Sequence, residues 1–299
     1  MDLSVVIASI DSVRSIDQCL RHLERSCAGL QAEFIVADAS RDDTVPRTCA
    51  RNGPAMLIPC APDSLAPQLW AAGYRQSTGR VVAFTTGHCL VSPEWATALT
   101  DALAQGATGA GGPLVIGEGT GPLDWAIFYL RYAGVMPHTL GAGPVVEEIA
   151  GDNAAYRREA LDRHAATFAH GFWEVDFHHL VRAEGGWLAA APRAVIAFSR
   201  SFPARTILRH RFAHGRHFGA GRVGGGTRTA WQIVLAAPLV PFVLAGRAAM
   251  RAARGPAPWR FIAALPWFLL LAGAWAIGEA WGAMHANAGL PVARHRSEC

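Results

Sequence analysis

The chain has 299 residues, of which 51% are hydrophobic, and a formal net charge of only +4. This length can bury one substantial core, which excludes the small folds that depend on disulfides or metals for their stability. No segment matches a nucleic-acid-binding motif, so nucleic acid is not an expected partner. The six cysteines show no C-x-x-C pairing and are expected to be reduced core residues.

The first 45 residues predict a strand–helix–strand unit. Residues 3–8 form an apolar, β-branched run, residues 15–30 carry apolar positions at helical spacing, and residues 33–37 form a second apolar run. Carboxylates follow both strands, at Asp11 and at Asp38, on the edge where open α/β sheets bind ligands. The first turn lacks G-x-G-x-x-G, so a dinucleotide site is not expected. Carboxylates there suit ribose hydroxyls or the N–H groups of a base.

Strands and helices continue to alternate up to residue 222. The predicted strands are residues 56–58, 80–84, 109–116, 187–189 and 194–198. The predicted helices are residues 65–74, 123–132, 172–183 and 206–218, with two more that begin near Pro93 and after Arg158. This order predicts an α/β fold with a mainly parallel sheet flanked by helices. Because residue 3 already begins a strand, no secretory signal is expected and the globular part is placed in the cytoplasm.

The last 77 residues differ in kind, since residues 231–245 and 261–277 are apolar stretches close to membrane-spanning length. Four arginines separate them, and Pro238 and Pro241 interrupt the first. This pattern predicts a tail associated with the inner membrane. Two arrangements remain open: two embedded helices with both ends in the cytoplasm, which we favour, or a first stretch that is a shallow re-entrant hairpin.

Two motifs carry a family resemblance. Residues 4–7 followed by Asp11, together with residues 35–44, resemble the opening motifs of family 2 glycosyltransferases with the GT-A fold. The similarity runs with gaps from residue 3 to about residue 222, which implies a transferase domain over 1–222 and a membrane-associated tail over 223–299. The resemblance implies that the following residues bind a nucleotide-sugar donor: Ser9, Asp11, Asp38, Ser40, Thr86, Asp152 and Asn153.

The resemblance also shows one departure from the family. The family carries Asp-x-Asp after its fourth strand to hold Mg²⁺ or Mn²⁺, whereas this chain carries Thr86-Gly87-His88. His88 is expected to ligate a transition metal such as Mn²⁺, and Thr86 to bond a phosphate or a metal-bound water. The alternative is that His88 is only a loop residue. The dependence on Mn²⁺ or Mg²⁺ is therefore expected to be weak or absent.

The catalytic base is implied by residues 173–177, which resemble the family's acid pair before a helix. Glu174 matches the base and Asp176 a supporting carboxylate. As an alternative, both are first-turn acids that complement the helix dipole. Asp152 and Asn153 likewise match a segment beside the donor sugar, or else cap the next helix.

The expected function is that of a membrane-associated, inverting glycosyltransferase. It would move a sugar from a nucleoside-diphosphate sugar to a lipid-linked or cell-envelope glycan, in polysaccharide biosynthesis. A catalytically silent nucleotide-sugar-binding or scaffolding subunit is the alternative, because the Asp-x-Asp acids are missing. A sugar-nucleotide pyrophosphorylase is disfavoured, since the first turn has no Gly-rich activation loop.

Overall fold

A computed structural model describes residues 1–12, 15–51, 55–140, 143–199 and 203–286. The chain divides into two compact units. The first, here called the sheet unit, comprises Met1–Glu118 and Gly134–Arg200. The second, here called the helical unit, comprises Gly119–Ala133 and Ser201–Cys299.

Strands and helices alternate through the described part of the chain. The strands are β1 (Leu3–Ser9), β2 (Ala32–Asp38), β3 (Met56–Pro59), β4 (Val81–Thr86), β5 (Cys89–Val91), β6 (Gly109–Gly111), β7 (Leu114–Ile116), β8 (Val145–Val146), β9 (Ala154–Arg157), β10 (Leu188–Ala190) and β11 (Ile196–Phe198). The helices are α1 (Ile16–Ser26), α2 (Thr44–Arg51), α3 (Ala66–Gln76), α4 (Trp95–Ala104), α5 (Pro122–Tyr132), α6 (Arg158–Arg163), α7 (Glu174–Ala183), α8 (Ala204–Gly224), α9 (Ala230–Ala236), α10 (Val240–Ala252) and α11 (Trp259–Met284).

The main sheet has the order β3-β2-β1-β4-β9-β6-β10-β8. Six of these strands run parallel to one another, and only β9 and β8 are antiparallel to their neighbours. A smaller sheet has the order β5-β11-β7. The predicted α/β fold with a mainly parallel sheet is confirmed.

The centre of the main sheet is buried because β1 lies between two parallel neighbours. Every residue of β1 is buried, as a strand covered by helices on both faces requires. One face packs an aromatic core in which Phe84 contacts the rings of Trp70, Tyr156 and Phe172 at centroid distances of 4.6–6.0 Å. This core packs β4 against α3, which carries Trp70, and against the segment before α7, which carries Phe172.

Backbone hydrogen bonds connect the residues at the carboxyl ends of the strands β1 to β4. The Ala39 N–H donates to the Ser9 carbonyl at 2.9 Å, and the Gly87 N–H donates to the Ala8 carbonyl at 2.9 Å. The Cys60 N–H donates to the Asp38 carbonyl at 2.8 Å. These bonds fix the loops after β2, β3 and β4 at the carboxyl ends of the strands, where the sequence predicts that a ligand binds.

Two local predictions need correction. Residues 109–116 were predicted as one strand, but they form β6 and β7 in different sheets. The break falls at Gly112, where a side chain would collide with the Ala194 carbonyl oxygen. The strand β9 was not predicted: residues 154–157 pair with β4 and β6, and the predicted helix follows directly as α6 from Arg158.

The helical unit is organised around the crossing of α8 and α11. Four glycines lie in this crossing, and a side chain at any of them would overlap a backbone carbonyl oxygen of the other helix. They are Gly215 and Gly219 in α8 and Gly278 and Gly282 in α11. Beside them an Arg222 guanidinium nitrogen lies 2.7 Å from a Glu279 carboxylate oxygen, and Glu279 is buried. The sequence spacing is small-xxx-small on both helices, a pattern that lets helix backbones approach closely.

Among the described residues, α11 is the single helix long and apolar enough to cross a membrane. Its 26 residues span about 39 Å at the helical rise per residue. The pair α9 and α10 passes the same test only when taken together, and it is bent by 64° at the break between them. That break lies at Pro238, where the sequence predicts an interruption.

The boundary between domains, predicted after residue 222, stays a prediction. In the structure α8 packs mainly against α11 and belongs to the helical unit, which also takes in α5 from the middle of the chain. Sequence order does not reveal this exchange, because the aromatic spacing of α5 is equally typical of a core helix in either unit.

Candidate functional site

Asp11 and Asp38 are the residues predicted to bind the nucleoside. Asp11 follows β1, and Asp38 is the last residue of β2. Asp11 has a φ of 49°, the one left-handed non-glycine residue in the described part of the chain. Such a conformation is uncommon outside glycine, and at a ligand-binding edge it often serves to aim a side chain. Asp38 is 6% exposed, and one oxygen of its carboxylate accepts hydrogen bonds from the Ser40 hydroxyl at 2.7 Å and the Ser40 N–H at 3.3 Å.

Ser9 lies at the end of β1, directly beside Asp38 in the strand register. Its side chain is fully buried, and its hydroxyl oxygen has no hydrogen-bond partner among the described residues. The prediction that Ser9 contacts the donor therefore requires this edge to open on binding.

Thr86, at the end of β4, joins three other polar side chains. Its hydroxyl oxygen lies 3.2 Å from His88 Nε2, 3.2 Å from Cys89 Sγ and 3.2 Å from Asp152 Oδ1. All four side chains are buried. We call this set the Thr86 cluster. The His88 ring also packs edge-on against Phe198 at 5.3 Å, so His88 is a core residue at the strand end rather than a solvated loop residue.

Glu174 is the first residue of α7. A side-chain carbon built on Gly151 would lie 3.2 Å from the Glu174 carboxyl carbon and 2.7 Å from the Trp70 ring. Gly151 directly precedes Asp152, and Trp70 donates its indole N–H to the Thr85 carbonyl at 2.8 Å. The Glu174 carboxyl therefore lies next to Gly151, the residue that precedes Asp152 of the Thr86 cluster. Asp176, two residues further along α7, is exposed.

Asn153 is engaged by other protein groups. Its Oδ1 accepts the Trp95 indole N–H at 2.7 Å, and its Nδ2 donates to the carbonyls of Pro113 at 3.2 Å and Ala194 at 2.8 Å. The residue is completely buried. These bonds give Asn153 a structural role that ties α4 to the β7 and β11 segments, and the predicted contact with the donor stays a prediction.

A hydrogen-bonded chain fixes the orientation of α7. Burial, the largest effect, lowers the pKa of His178, while Glu148 opposes that shift. The neutral ring donates Nδ1–H to a Glu148 carboxylate oxygen at 2.5 Å and accepts the Tyr156 O–H at 2.7 Å on Nε2. Arg182 also donates to the Glu147 carbonyl. His178 follows Glu174 by four residues, so this chain holds the helix face that carries the predicted base.

Sequence reasoning missed three residues of this region: Trp70, Cys89 and His178. The i, i+4 spacing of Glu174 and His178 is a signal that could have found the last of them. Cys89 adjoins the predicted metal position, but an isolated cysteine in an apolar run gives no sign of its partners. Trp70 lies in α3, the helix directly before β4, but an indole at a helical core position gives no sign in the sequence that it reaches the Thr85 carbonyl.

The resemblance implies a divalent cation at this edge, so the fit of the residues present can be tested. In the described part of the chain, His88, Cys89 and Asp152 place one ligand atom each within 4.8 Å of one another. Imidazole, thiol and carboxylate together suit a transition metal, whereas Mg²⁺ requires an all-oxygen octahedral shell. The donor set therefore fits a divalent cation, though of a different class from Mg²⁺.

The fold of this chain is similar to the folds of several solved structures. The chain is similar to residues 1–349 of TarS from S. aureus, solved in complex with UDP, at 11% identity and a TM-score of 0.50, covering 90% of this chain and 89% of that one. It also resembles glucosyl-3-phosphoglycerate synthase from Mycobacterium tuberculosis, solved with Mn²⁺ and UDP, at 17% identity and a TM-score of 0.47, covering 69% and 74%. A third is the mannosyltransferase PcManGT from Pyrobaculum calidifontis, solved with GDP-Man and Mn²⁺, at 19% identity and a TM-score of 0.46, covering 97% and 76%.

No protein-family model and no curated protein sequence matches the chain. At 11% sequence identity, the similarity to TarS supports a conclusion about the fold alone. The chain has the α/β architecture of the GT-A type, with a mainly parallel sheet flanked by helices.

Proposed function

We propose that the sheet unit is a glycosyltransferase that moves a sugar from a nucleoside-diphosphate sugar to an acceptor hydroxyl. The observation that supports this most is that Asp152 contacts Thr86 at the end of β4, while the Glu174 carboxyl lies next to Gly151, the residue before Asp152. The fold shared with TarS, which was solved in complex with UDP, adds to it. Such a reaction needs a leaving diphosphate, an acceptor that loses a proton and a site that orients both sugars.

In this proposal Asp11 and Asp38 bind the nucleoside. Both Ser40 hydrogen bonds reach the same oxygen of the Asp38 carboxylate, and in this proposal the second oxygen binds a ribose hydroxyl or a base N–H. Asp11, whose backbone is left-handed, follows β1 at the same end of the sheet, and we assign its carboxylate to the same nucleoside.

Glu174 is the proposed base. Its carboxylate takes the proton of the acceptor hydroxyl as the acceptor oxygen bonds to the anomeric carbon of the donor. The bond from that carbon to the diphosphate oxygen breaks, the electron pair leaves with the nucleoside diphosphate, and the anomeric configuration inverts. Asp176 supports this base from the same helical turn. His88 and Asp152 would hold a divalent cation, which would supply positive charge for the leaving diphosphate.

The helical unit is proposed to associate with the inner membrane, leaving the sheet unit in the cytoplasm and the site open to a lipid-linked or envelope-glycan acceptor. Large apolar side chains of α9, α10 and α11 are more than half exposed, among them Trp231, Leu235, Phe242, Ile262 and Ile277. A soluble protein rarely leaves so many large apolar side chains in water. Arg247 and Arg251 near the end of α10, and Arg254 just after it, are exposed and suit anionic lipid headgroups.

Membrane association is checked by washing membranes from cells that express the full chain. The protein is expected to stay with the membranes in high salt and in alkaline carbonate, and to be released only by detergent, because apolar burial is insensitive to salt. Release by salt would show that the arginines alone attach it, and recovery in the soluble fraction would contradict the proposal.

Catalysis is tested by following nucleoside diphosphate released by the detergent-purified chain from a panel of UDP- and GDP-sugars, with a bacterial lipid extract as acceptor. Release from one nucleotide class, faster with the lipid extract, is the expected result. A panel that is neither bound nor cleaved would refute the proposal.

A second candidate function, a silent nucleotide-sugar-binding subunit, is favoured by the deep burial of the Thr86 cluster and by the absence of carboxylates at positions 86 and 88. The same assay separates the two functions. Saturable binding with no release, with or without Mn²⁺ and lipid extract, would support the silent subunit.

A further inference from the structure

The Thr86 cluster brings four possible metal ligands close to one another. Its central hydroxyl oxygen lies 3.2 Å from each of three ligand-type atoms, His88 Nε2, Cys89 Sγ and Asp152 Oδ1. Those three atoms lie within 4.8 Å of one another. A tetrahedral Zn²⁺ with bonds of about 2.0–2.3 Å holds its ligands roughly 3.3–3.8 Å apart. The distances from Thr86 are slightly below this range and the 4.8 Å limit on the others is about 1 Å above it, so binding of one ion would require ligand movements on the order of 1 Å.

The chemistry of the four groups selects the class of ion. A cysteine sulfur and an imidazole nitrogen are soft or borderline ligands, which favour Zn²⁺ or Co²⁺ over Mg²⁺. The set also balances charge, since one thiolate and one carboxylate neutralise a divalent ion. Neutrality matters because all four side chains are at most 4% exposed, where an uncompensated charge is costly.

We propose that Thr86, His88, Cys89 and Asp152 bind one thiophilic divalent ion of the Zn²⁺ type. Three protein ligands are strong, and the neutral Thr86 hydroxyl is the weak fourth. This inference rests on the proposed function and refines its cation site: it adds Cys89 and Thr86 to His88 and Asp152, and it does not require a bound donor.

Binding has a defined proton balance. Without metal, the Thr86 hydroxyl donates to Asp152 and can accept from His88 Nε2–H and from the Cys89 thiol. When the ion binds, the Cys89 S–H bond breaks, a sulfur–metal bond forms and one proton goes to solvent. The His88 proton moves from Nε2 to Nδ1, leaving Nε2 free to coordinate. Affinity is therefore expected to rise with pH.

The test uses Co²⁺ as a spectroscopic substitute for Zn²⁺, on the full chain in detergent, stripped of metal and without any sugar nucleotide. Titration is expected to produce a thiolate-to-cobalt charge-transfer band in the near ultraviolet and intense visible bands of tetrahedral Co²⁺. Equimolar Zn²⁺ should abolish both, and a large excess of Mg²⁺ should not. Absence of the thiolate band in folded protein overturns the proposal, and so does its loss to Mg²⁺.

Two variants identify the ligands. Cys89→Ser should lose the charge-transfer band, whereas Cys60→Ser, a half-buried thiol after β3, should keep it. A band that persists in Cys89→Ser would assign the thiolate elsewhere, for example to buried Cys19, and would overturn the site. Should Cys89→Ser fail to fold by circular dichroism, Asp152→Asn serves instead. It should keep the band but weaken Co²⁺ binding at least about tenfold, and unchanged affinity would contradict the assignment. Because no donor is present, failure here leaves the proposed transferase function untouched.

Discussion

Replacing Glu174 by glutamine is expected to lower kcat by about 10²–10⁴-fold, the usual contribution of a positioned general base. The amide is nearly isosteric, so the start of α7 and its contact with Gly151 should persist. The glutamine amide, however, cannot take the proton from the hydroxyl group of the acceptor. Donor affinity should stay within about twofold, because the proposed nucleoside contacts at Asp11 and Asp38 are untouched. The measurement is the release of nucleoside diphosphate together with calorimetric donor binding.

Glu159→Gln is the matched control, since its side chain is largely exposed on α6 and lies outside the proposed machinery. It should retain wild-type kcat. Asp176→Asn should show a smaller loss than Glu174→Gln, because Asp176 is exposed and assigned a supporting role. An unchanged kcat in Glu174→Gln, or a larger loss in Asp176→Asn, would contradict the assignment of the base.

The helical unit gives the second large effect. Gly219→Ala is expected to destabilise it by about 3 kcal/mol, at the upper end of the cost of overpacking, because the added methyl group would overlap the Glu279 carbonyl oxygen and push α8 from α11. Gly221→Ala, two residues along the same helix, places its methyl group in open space. It should stabilise the unit by up to about 1 kcal/mol through helix propensity.

The two alanine variants are compared by thermal unfolding in detergent, followed by circular dichroism. Gly219→Ala should lower the Tm by about 10 °C, whereas Gly221→Ala should leave it unchanged or slightly raised. A second matched pair lies on α11, where Gly278 is in the crossing and Gly273 meets open space. Equal Tm values for Gly219→Ala and Gly221→Ala would show that the close approach of the two backbones is not what holds the unit together.

The first strand–helix–strand unit was predictable because its signals are local. A β-branched run of strand length, a helix with buried positions such as Leu20 and Leu23, and a second apolar run leave little choice of structure. The strand β9 was not predictable, because Ala154 and Ala155 prefer helix and form a strand only between β4 and β6. The break at Gly112 depends similarly on Ala194, some 80 residues later in the chain.

For the site, sequence identified the strand ends but not which side chains would meet there. Thr86, His88 and Asp152 were each predicted from the family resemblance, and the fold joins them through one hydroxyl. Asn153 was predicted by the same reasoning, yet its amide bonds to Trp95 and to two backbone carbonyls. Such three-dimensional satisfaction of a buried amide leaves no pattern in the sequence. Cys89 enters the cluster for the same reason.

The most direct test of the account is calorimetric titration of UDP and GDP into the wild-type chain and into Asp38→Asn, with and without Zn²⁺. We predict saturable, one-to-one binding of one of the two nucleotides, weakened at least about tenfold in Asp38→Asn, since a hydrogen bond to a charged group contributes about 1.5–3 kcal/mol. Binding of neither nucleotide, or equal binding by wild type and Asp38→Asn, would contradict the claim that the carboxyl edge of the sheet holds a nucleoside.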